Sequence, residues 1–286
     1  MFVAHALWLR LLDSGLLAVA FIQAGFIFHD AGHRQIFVHP RQNDLVMLLI
    51  GLLLGFSRSW WFDSHNRHHA RPNDLAMDPD TELYVVNFSE EQARDRKGIW
   101  GRLTRFQAYY FFPMMAFEGI GAHVVSILFL IRGKPRYRLL EAMGLAIHPA
   151  IYFGLLFTVM PTWQAVLVML VHHGLAGLYM GSVFAPNHKG MLVPDASVPL
   201  DYLHRQILTS RNITPSMVVD VWYGGLNYQI EHHLFPTIPR NKLKAAREVV
   251  KDFCRERGLP YHETGAWQSY GEITRYLNGV VEPLRT

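Results

Sequence analysis

Histidines at short, regular spacings are the residues of this chain best suited to chemistry. The chain has 16 of them in 286 residues. The stretch HDAGH places His29 and His33 four residues apart, which on a helix puts both rings on one face about 6 Å apart. Two imidazoles at that spacing can share a metal ion. One pair alone is weak evidence, because the HxxxH spacing is common by chance.

Two further stretches, HNRHH and QIEHH, repeat this spacing, and another histidine follows in NHKG. Adjacent histidines on a helix point about 100° apart, so each HH pair can serve two neighbouring metal ions. Together these stretches give eight candidate metal ligands: His29, His33, His65, His68, His69, His188, His232 and His233. We therefore predict that this chain binds metal.

Polar residues between the candidate ligands are predicted to support them. Asp30 and Glu231 are placed to accept the second ring N–H of a ligating histidine and so fix its tautomer. Gln229 stands where the first histidine of the third stretch would be, and Asn187 is predicted to assist His188 through water.

The remaining histidines lack ligand spacing or fall inside apolar runs. We expect His148, His172 and His173 to be packed or hydrogen-bonded within a helical bundle. The other histidines have no partner at ligand spacing: His5, His39, His123, His204 and His262.

The ligand set favours two irons over other metals. Zinc hydrolases use three protein ligands and often an HExxH motif, which is absent, and eight histidines are too many for one zinc ion. Bis-histidine haem needs pairs on facing spans, whereas these histidines lie at helix ends and in polar segments. The single cysteine, Cys254, excludes an intrachain disulfide and four-cysteine ligation, and we expect it to be buried and inert.

The apolar segments that must position these histidines indicate a membrane protein. Half of the residues are hydrophobic and 17% are charged, against about 25% charged in soluble proteins. Residues 6–28, 139–160 and 163–184 are long enough to span a bilayer. Residues 45–56 cover only about 18 Å as a helix, against a hydrocarbon core of about 30 Å, which predicts an interfacial or re-entrant helix.

Residues 108–131 are long enough to cross, but Pro113 and Glu118 interrupt them, and the basic loop 132–138 follows. If all histidine stretches meet on one membrane face, this segment lies in the interface, and the positive-inside rule puts the loop in the cytoplasm. The prediction is an all-α integral membrane bundle of about three to four spans plus interfacial helices, with the N-terminus outside. A cytosolic helical cap of 57–107 and 185–286 holds the metal, and 1–286 form one domain.

The stretches HDAGH, HNRHH and QIEHHLFP closely resemble the three histidine boxes of the membrane fatty acid desaturases. The third box has a glutamine, Gln229, in place of its first histidine. In this it resembles the third box of the front-end desaturases and their bacterial acyl-lipid and acyl-CoA relatives. The stretches FAPNHKG and GGLNYQIEHHLFPTIPR also resemble bacterial members.

This resemblance implies a non-haem di-iron centre ligated by the eight histidines, with O₂ as co-substrate. It implies a double bond introduced into a fatty acyl chain, carried as a CoA or lipid ester, and an active site facing the cytoplasm of a bacterial plasma membrane. It also implies an acyl tunnel. Its candidate lining is aromatic: Trp60, Trp61, Tyr223, Tyr228 and Phe235.

The electrons for this chemistry are expected from a separate donor of the ferredoxin or cytochrome b5 type with its reductase. No GxGxxG turn or cysteine cluster is present, and HPRQ at His39 does not match the HPGG motif of a fused cytochrome b5 domain. One span precedes the first box where the family usually has a pair, and a misplaced start codon and a lost N-terminal span are the two alternatives for this difference. Basic residues that could steer an acidic donor are Arg67, Arg71, Lys189, Arg240 and Lys242.

Two other functions remain open. A hydroxylase or ketolase would use the same di-iron centre and differ only in the last chemical step. A histidine-rich metal transporter would place histidines and carboxylates along its spans, which here are almost uncharged. The net charge of +4 comes without a basic stripe interleaved with exposed aromatics, so we do not expect nucleic-acid binding.

Overall fold

The structure, a computed structural model, describes residues 6–83, 85–195 and 200–285. Its helices are α1 Leu7–Gly32, α2 Pro40–Leu54, α3 Arg58–Ala70, α4 Glu90–Asp95, α5 Gly98–Thr104, α6 Gln107–Met114, α7 Glu118–Arg132, α8 Arg138–Val159, α9 Thr162–His188, α10 Tyr202–Leu208, α11 Met217–Trp222, α12 Gln229–Leu234, α13 Arg240–Arg257 and α14 Ala266–Val281. Short 3-10 turns occur at Pro79–Thr81, Met115–Phe117 and Glu282–Leu284. Two-residue strands β1 (Asn212–Ile213) and β2 (Glu263–Thr264) pair in parallel. The all-α prediction is confirmed. His5 lies outside the described residues.

Among the described residues, four helical stretches are long and apolar enough to cross a membrane: Leu7–Gly32, Gln107–Arg132, Arg138–Val159 and Thr162–His188. Three of them match the predicted spans. The fourth, Gln107–Arg132, joins α6 and α7 through the 3-10 turn and qualifies by length and composition alone. Its placement in the interface stays a prediction.

A sharp bend follows the short apolar helix α2. Gly55 follows it in the left-handed conformation (φ 70°), and α2 and α3 are bent by 108° at this break. A Cβ atom at Gly55 would lie 2.7 Å from His148 Cδ2 and 2.8 Å from His123 Nε2, so only glycine fits. Such a bend belongs to a broken span or a re-entrant segment.

The chain divides into two compact units. The first unit is Met1–Asp63 with Met114–Gly181, and the second unit is Ser64–Pro113 with Ser182–Thr286. The second unit overlaps the ranges 57–107 and 185–286, and that these form a cytosolic cap stays a prediction. That the whole chain acts as one domain stays a prediction.

A buried carboxylate fixes the turn between α2 and α3 in the first unit. Glu141 of α8 accepts hydrogen bonds from the hydroxyls of Ser57 and Ser59 at 2.5 and 2.6 Å. The backbone N–H of Ser59 donates to the same side chain at 3.0 Å. Because a buried carboxylate is costly unless its oxygens are satisfied, this network favours one geometry for the turn.

The core of the second unit packs α10, α12 and α13 around one apolar cluster: Ile207, Ile230, Leu234, Val250 and Cys254. The thiol of Cys254 is buried, as predicted, and burial raises its pKa. Arg211, also buried, donates to the backbone carbonyls of Pro186 and Lys189, both at 2.7 Å. These contacts hold the end of α9 against the segment that leads into β1.

Candidate metal centre

In the first unit, His29 and His33 lie on successive turns at the end of α1, as their spacing predicts. Their ring centroids are 4.6 Å apart, and both rings meet Trp61 edge-on, at 5.6 and 5.5 Å. A Cβ atom at Gly32 would lie 2.1 Å from the Trp61 ring, so the close packing of Trp61 on the box requires glycine there. The carboxylate of Asp30 lies 3.8 Å from His29 Nδ1, which is longer than a hydrogen bond.

The second unit holds the other six candidate ligands, which its fold brings together. His65 and His69, one turn apart on α3, have their Nε2 atoms 3.0 Å apart. The ring of His69 lies 4.8 Å from that of His232 and stacks on that of His233 at 4.1 Å. The second and third boxes are therefore in direct contact within this unit.

Three of these histidines converge on one point. The ligand nitrogens of His68, His188 and His233 all lie within 4.8 Å of one another, and all three residues are buried. They come from α3, the end of α9 and α12, so the group exists only in the folded unit.

Each of the three rings is held from behind by an oxygen atom. His68 Nδ1 lies 3.0 Å from both carboxylate oxygens of Asp78. His188 Nδ1 donates to the carbonyl of Thr209 at 2.9 Å, and His233 Nδ1 to Gln206 Oε1 at 3.0 Å. Because these oxygens only accept, each ring in its neutral form carries its proton on Nδ1 and directs the lone pair of Nε2 to the common centre.

These lone pairs fit a bound cation. The Nε2 atoms of His68 and His188 are 3.2 Å apart, a separation that requires either a proton on one of them or a bound cation between them. His233 Nε2 is buried and has no hydrogen-bond partner among the described residues. Three imidazole nitrogens with fixed tautomers are a donor set suited to iron, zinc or copper.

Gln229 and Asn187 lie beside this group. Gln229 Nε2 is 2.9 Å from His188 Nε2, and Gln229 Oε1 accepts from Asn187 Nδ2 at 3.0 Å. The side chain that replaces the first histidine of the third box therefore faces the centre, although its role stays a prediction.

Sequence reasoning missed the residues that hold the rings from behind. Asp78 is fully buried and accepts from the backbone N–H groups of Asn73 and Asp80, at 2.8 and 3.0 Å. Asn73, in the left-handed conformation (φ 59°), donates its amide to the carbonyls of His188 and Thr209, at 3.0 and 3.3 Å. The feature of the sequence that points to Asp78 is the acidic DPD turn soon after the second box.

Electrostatics differ between the rings: burial lowers the pKa of His68, but the charges of Asp80 and Asp78 and the hydrogen bond to Asp78 outweigh burial and raise it. Burial raises the pKa of the Asp78 carboxyl, but the charge of His68 and the hydrogen bond between them outweigh burial and hold the pKa below its usual range. Burial, with smaller contributions from His69 and His188, holds the pKa of His233 well below its ordinary value. His233 is therefore neutral near pH 7, and neutral imidazole is the form that binds metals.

The contacts of Glu231 differ from those predicted. Glu231 does not accept from a histidine but from Asn212 Nδ2 at 2.7 Å and the Tyr261 hydroxyl at 2.9 Å, so it holds α12 to β1. Burial raises the pKa of Glu231. Asn212 and Tyr261 are not neighbours of Glu231 in sequence, which is why the box pattern suggested a histidine partner.

The aromatic residues predicted to line a tunnel are in mixed surroundings. Tyr223 and Tyr228 are buried, with hydroxyls 3.5 Å from the Tyr270 hydroxyl and 2.9 Å from Asp220 Oδ1. Phe235 is exposed, and the backbone N–H of Trp60 donates to the Ser57 hydroxyl at 3.1 Å. Trp61 alone packs on candidate ligands within its unit, and tunnel lining by these five stays a prediction.

Comparison with known proteins agrees with the histidine boxes. The profile of the family described as fatty acid desaturase matches residues 6–265. The chain belongs to the fatty acid desaturase family. The match covers the four candidate spans and all eight candidate ligands.

Curated desaturases of this family resemble the chain along most of its length. It is 33% identical to a Delta(5) fatty acid desaturase of Caenorhabditis elegans, over 92% of this chain and 62% of that protein. It is 33% identical to a Delta(6)-fatty-acid desaturase of the same organism, over 94% of this chain and 64% of the relative. An acyl-lipid (9-3)-desaturase of Physcomitrium patens is 31% identical, over 93% and 52% respectively. The chain spans less than two thirds of the length of these relatives.

Proposed function

We propose that this membrane protein is an O₂-dependent desaturase that introduces a double bond into a fatty acyl chain. The observation that carries the proposal is the convergence of His68, His188 and His233, each with Nδ1 held by an oxygen and Nε2 directed to one centre. The family match and the named desaturase relatives support the same activity.

The proposed cofactor is a pair of non-haem iron ions, with O₂ as co-substrate. His65, His68, His69, His188, His232 and His233 would hold iron in the second unit, and the family resemblance adds His29 and His33 to the ligand set. When bound, the iron pair would supply an oxidant, made from O₂ and two electrons, that is strong enough to break unactivated C–H bonds. The overall reaction converts –CH₂–CH₂–, O₂, two electrons and two protons into –CH=CH– and two waters.

The protein's own contribution is position. The oxygens of Asp78, Thr209 and Gln206 hold three rings in one tautomer, so that the ligand nitrogens need little rearrangement to bind. The acyl chain must then present two adjacent methylenes to the metal, because a shift of one carbon changes the product. The proposed substrate is a fatty acyl group carried as a CoA or lipid ester, with the five aromatics named above as candidate lining.

The electrons are proposed to come from an external ferredoxin or a cytochrome b5 with its reductase. The basic residues of the second unit named in the sequence analysis are candidates to steer an acidic donor. The ammonium of Lys189 already donates to the carbonyl of Asp80 at 2.8 Å and lies 4.3 Å from the Phe88 ring centre, so it is less available to a donor than a free lysine. Charge reversal at Lys242 is expected to weaken donor affinity most at low ionic strength.

The site is proposed to face the cytoplasm, because the basic loop 132–138 follows the positive-inside rule. A bacterial plasma membrane is proposed from the FAPNHKG and GGLNYQIEHHLFPTIPR stretches. The relatives named above come from a nematode and a moss.

Fatty acid analysis tests the activity. The chain is expressed with a ferredoxin or cytochrome b5 system, and cellular fatty acids are profiled by gas chromatography–mass spectrometry. We expect a new double bond that disappears in His188→Ala and persists in His204→Ala, since His204 is exposed and bonded to Asp201 at 2.8 Å. A hydroxy or keto product would instead assign the chain to the related oxygenases, and an unchanged product in His188→Ala would overturn the proposed site.

A further inference from the structure

Helix α11 of the second unit carries an exposed apolar surface. Four of its six residues expose large apolar side chains: Met217 (81%), Val218 (72%), Val221 (63%) and Trp222 (41%). Its one charged side chain, Asp220, accepts hydrogen bonds from Asn227 at 2.8 Å and Tyr228 at 2.9 Å. The exposed part of α11 therefore carries no charge.

The first turn of α14 extends this surface. Trp267 is 86% exposed, and its ring lies 5.8 Å from that of Tyr270. Tyr270 reaches back to α11, because its hydroxyl is 3.5 Å from the hydroxyl of Tyr223, the residue that follows α11. We call the five exposed residues the apolar shelf: Met217, Val218, Val221, Trp222 and Trp267.

The shelf is joined to two helical stretches that qualify as membrane spans. Trp222 Nε1 donates to the Ser182 hydroxyl at 3.0 Å, and the Tyr270 hydroxyl donates to the Ser182 carbonyl at 2.9 Å. The Tyr270 ring also packs on Phe112, at 5.5 Å. Ser182 belongs to the stretch Thr162–His188 and Phe112 to Gln107–Arg132.

The position of Ser182 along α9 gives the depth of the shelf. With a rise of about 1.5 Å per residue, the 27 residues of α9 extend about 40 Å, which exceeds a hydrocarbon core of about 30 Å. Ser182 lies about 9 Å from the helix end at His188 by the same rise. If the excess length of α9 lies at its His188 end, Ser182 is near the boundary between acyl chains and headgroups, the zone in which tryptophan is enriched.

A second exposed helix of the same unit has a different surface. Val249 of α13 is 71% exposed, but α13 is dominated by charged residues, among them Lys242, Lys244, Lys251 and Asp252. Phe253, one turn after Val249, is 38% exposed. A few apolar side chains among charges are normal on a water-facing surface, whereas a contiguous apolar patch marks an interaction site. Val218 and Val249 are therefore about equally exposed, but Val218 lies among apolar side chains and Val249 among mostly charged ones.

We propose that the apolar shelf is inserted into the interfacial zone of the membrane leaflet, with lipid as its occupant. The continuity of the shelf with Ser182 and Phe112 favours lipid over another protein. Asp220 connects the shelf to Asn227 and Tyr228, which directly precede Gln229 of the third box. The leaflet surface thereby holds the segment that carries His232 and His233 at a fixed depth.

Spin labelling tests this proposal without requiring activity or metal. The chain has one native cysteine, and it is buried, so Val218→Cys and Val249→Cys each add one reactive thiol. The labelled proteins are reconstituted in phosphatidylcholine–phosphatidylglycerol nanodiscs, and collision rates of the nitroxide with O₂ and with nickel-EDDA are measured. The unmutated chain, treated identically, corrects for any label at Cys254.

We expect the label at position 218 to collide more with O₂ than with nickel-EDDA, and the label at 249 to show the reverse. A label at 218 that is as accessible to nickel-EDDA as the label at 249 would put the shelf in water and overturn the proposal. Shielding from both reagents would indicate a protein partner or a second copy, which also overturns it. Val221→Cys provides the same test if Val218→Cys does not fold.

Discussion

Two groups of histidines in this molecule differ in what their ring nitrogens contact. In the second unit, His68, His188 and His233 each have Nδ1 held by an oxygen while Nε2 faces a shared centre. In the first unit, four histidines lie among the apolar helices: His123, His148, His172 and His173. The ring centroids of neighbouring pairs are 4.9 to 5.8 Å apart in this group, slightly more than the 4.6 to 5.1 Å of the second-unit group.

Two of the first-unit histidines each use one ring nitrogen on the protein itself, whereas His172 Nε2 is buried without a partner among the described residues. His123 Nε2 donates to the carbonyl of Leu54 at 2.9 Å, at the end of α2. His172 Nδ1 forms a hydrogen bond with the Tyr152 hydroxyl at 2.8 Å. Among the residues that the structure describes, no three of these four direct ligand atoms to one point as the second-unit group does. Proximity of imidazoles therefore does not by itself define a metal site, which also needs ligand atoms that converge on one point.

The largest expected effect separates the two groups directly. His233→Ala should lower activity by more than about 100-fold and reduce bound iron, since removing only an outer partner of a metal ligand already costs about 10- to 100-fold. His172→Ala should retain the iron of the unmutated protein. Iron is measured by plasma mass spectrometry of purified protein. Equal iron loss in both variants would contradict the distinction between the groups.

The atom behind His68 should matter next. Asp78→Asn keeps a hydrogen-bond acceptor but removes the charge, so we expect iron affinity to fall about 10- to 100-fold. Asp80→Asn is the matched control, because that carboxylate is exposed and lies 3.4 Å from the same nitrogen. Affinity is read by competition with a coloured chelator. An equal loss in the two variants would show that only local charge, and not the buried hydrogen bond, acts on His68.

Metal removal should destabilise the protein through the same group. A ligand present at 1,000 times its dissociation constant stabilises the folded state by about 4 kcal/mol. Chelation should therefore lower the Tm of the unmutated protein and of His172→Ala, but change that of His233→Ala far less. Thermal unfolding in detergent, with and without a ferrous chelator, measures this. A Tm of the unmutated protein that does not respond to chelation would argue against bound structural iron.

The smallest expected effect lies in the first-unit group. His123→Ala leaves the carbonyl of Leu54 without its side-chain donor, which should reduce the free energy of unfolding by about 1–3 kcal/mol. Its iron content should stay unchanged. His123→Gln retains an N–H donor and should restore part of the stability. A loss of iron in His123→Ala with normal stability would give this group a role that the hydrogen bonds do not indicate.

Much of the architecture was predictable because it depends on local patterns. The apolar runs located the helices of α1, α8 and α9, and the box spacing placed His29 beside His33 and His65 beside His69. The partners of the rings were not predictable. Gln206 contacts His233, and Thr209 contacts His188, only through tertiary packing. Glu231 accepts a hydrogen bond from Asn212 and not from a histidine.

The amide of Asn73 has a consequence for synthesis on the ribosome. Its carbonyl partners at His188 and Thr209 lie 115 and 136 residues further along the chain. The loop after the second box therefore cannot reach its final geometry until α9 and α10 have been translated. His68 leaves the ribosome before these partners do, so its ring is not yet held in place and binds metal weakly. We therefore expect the protein to bind metal after translation and not during it.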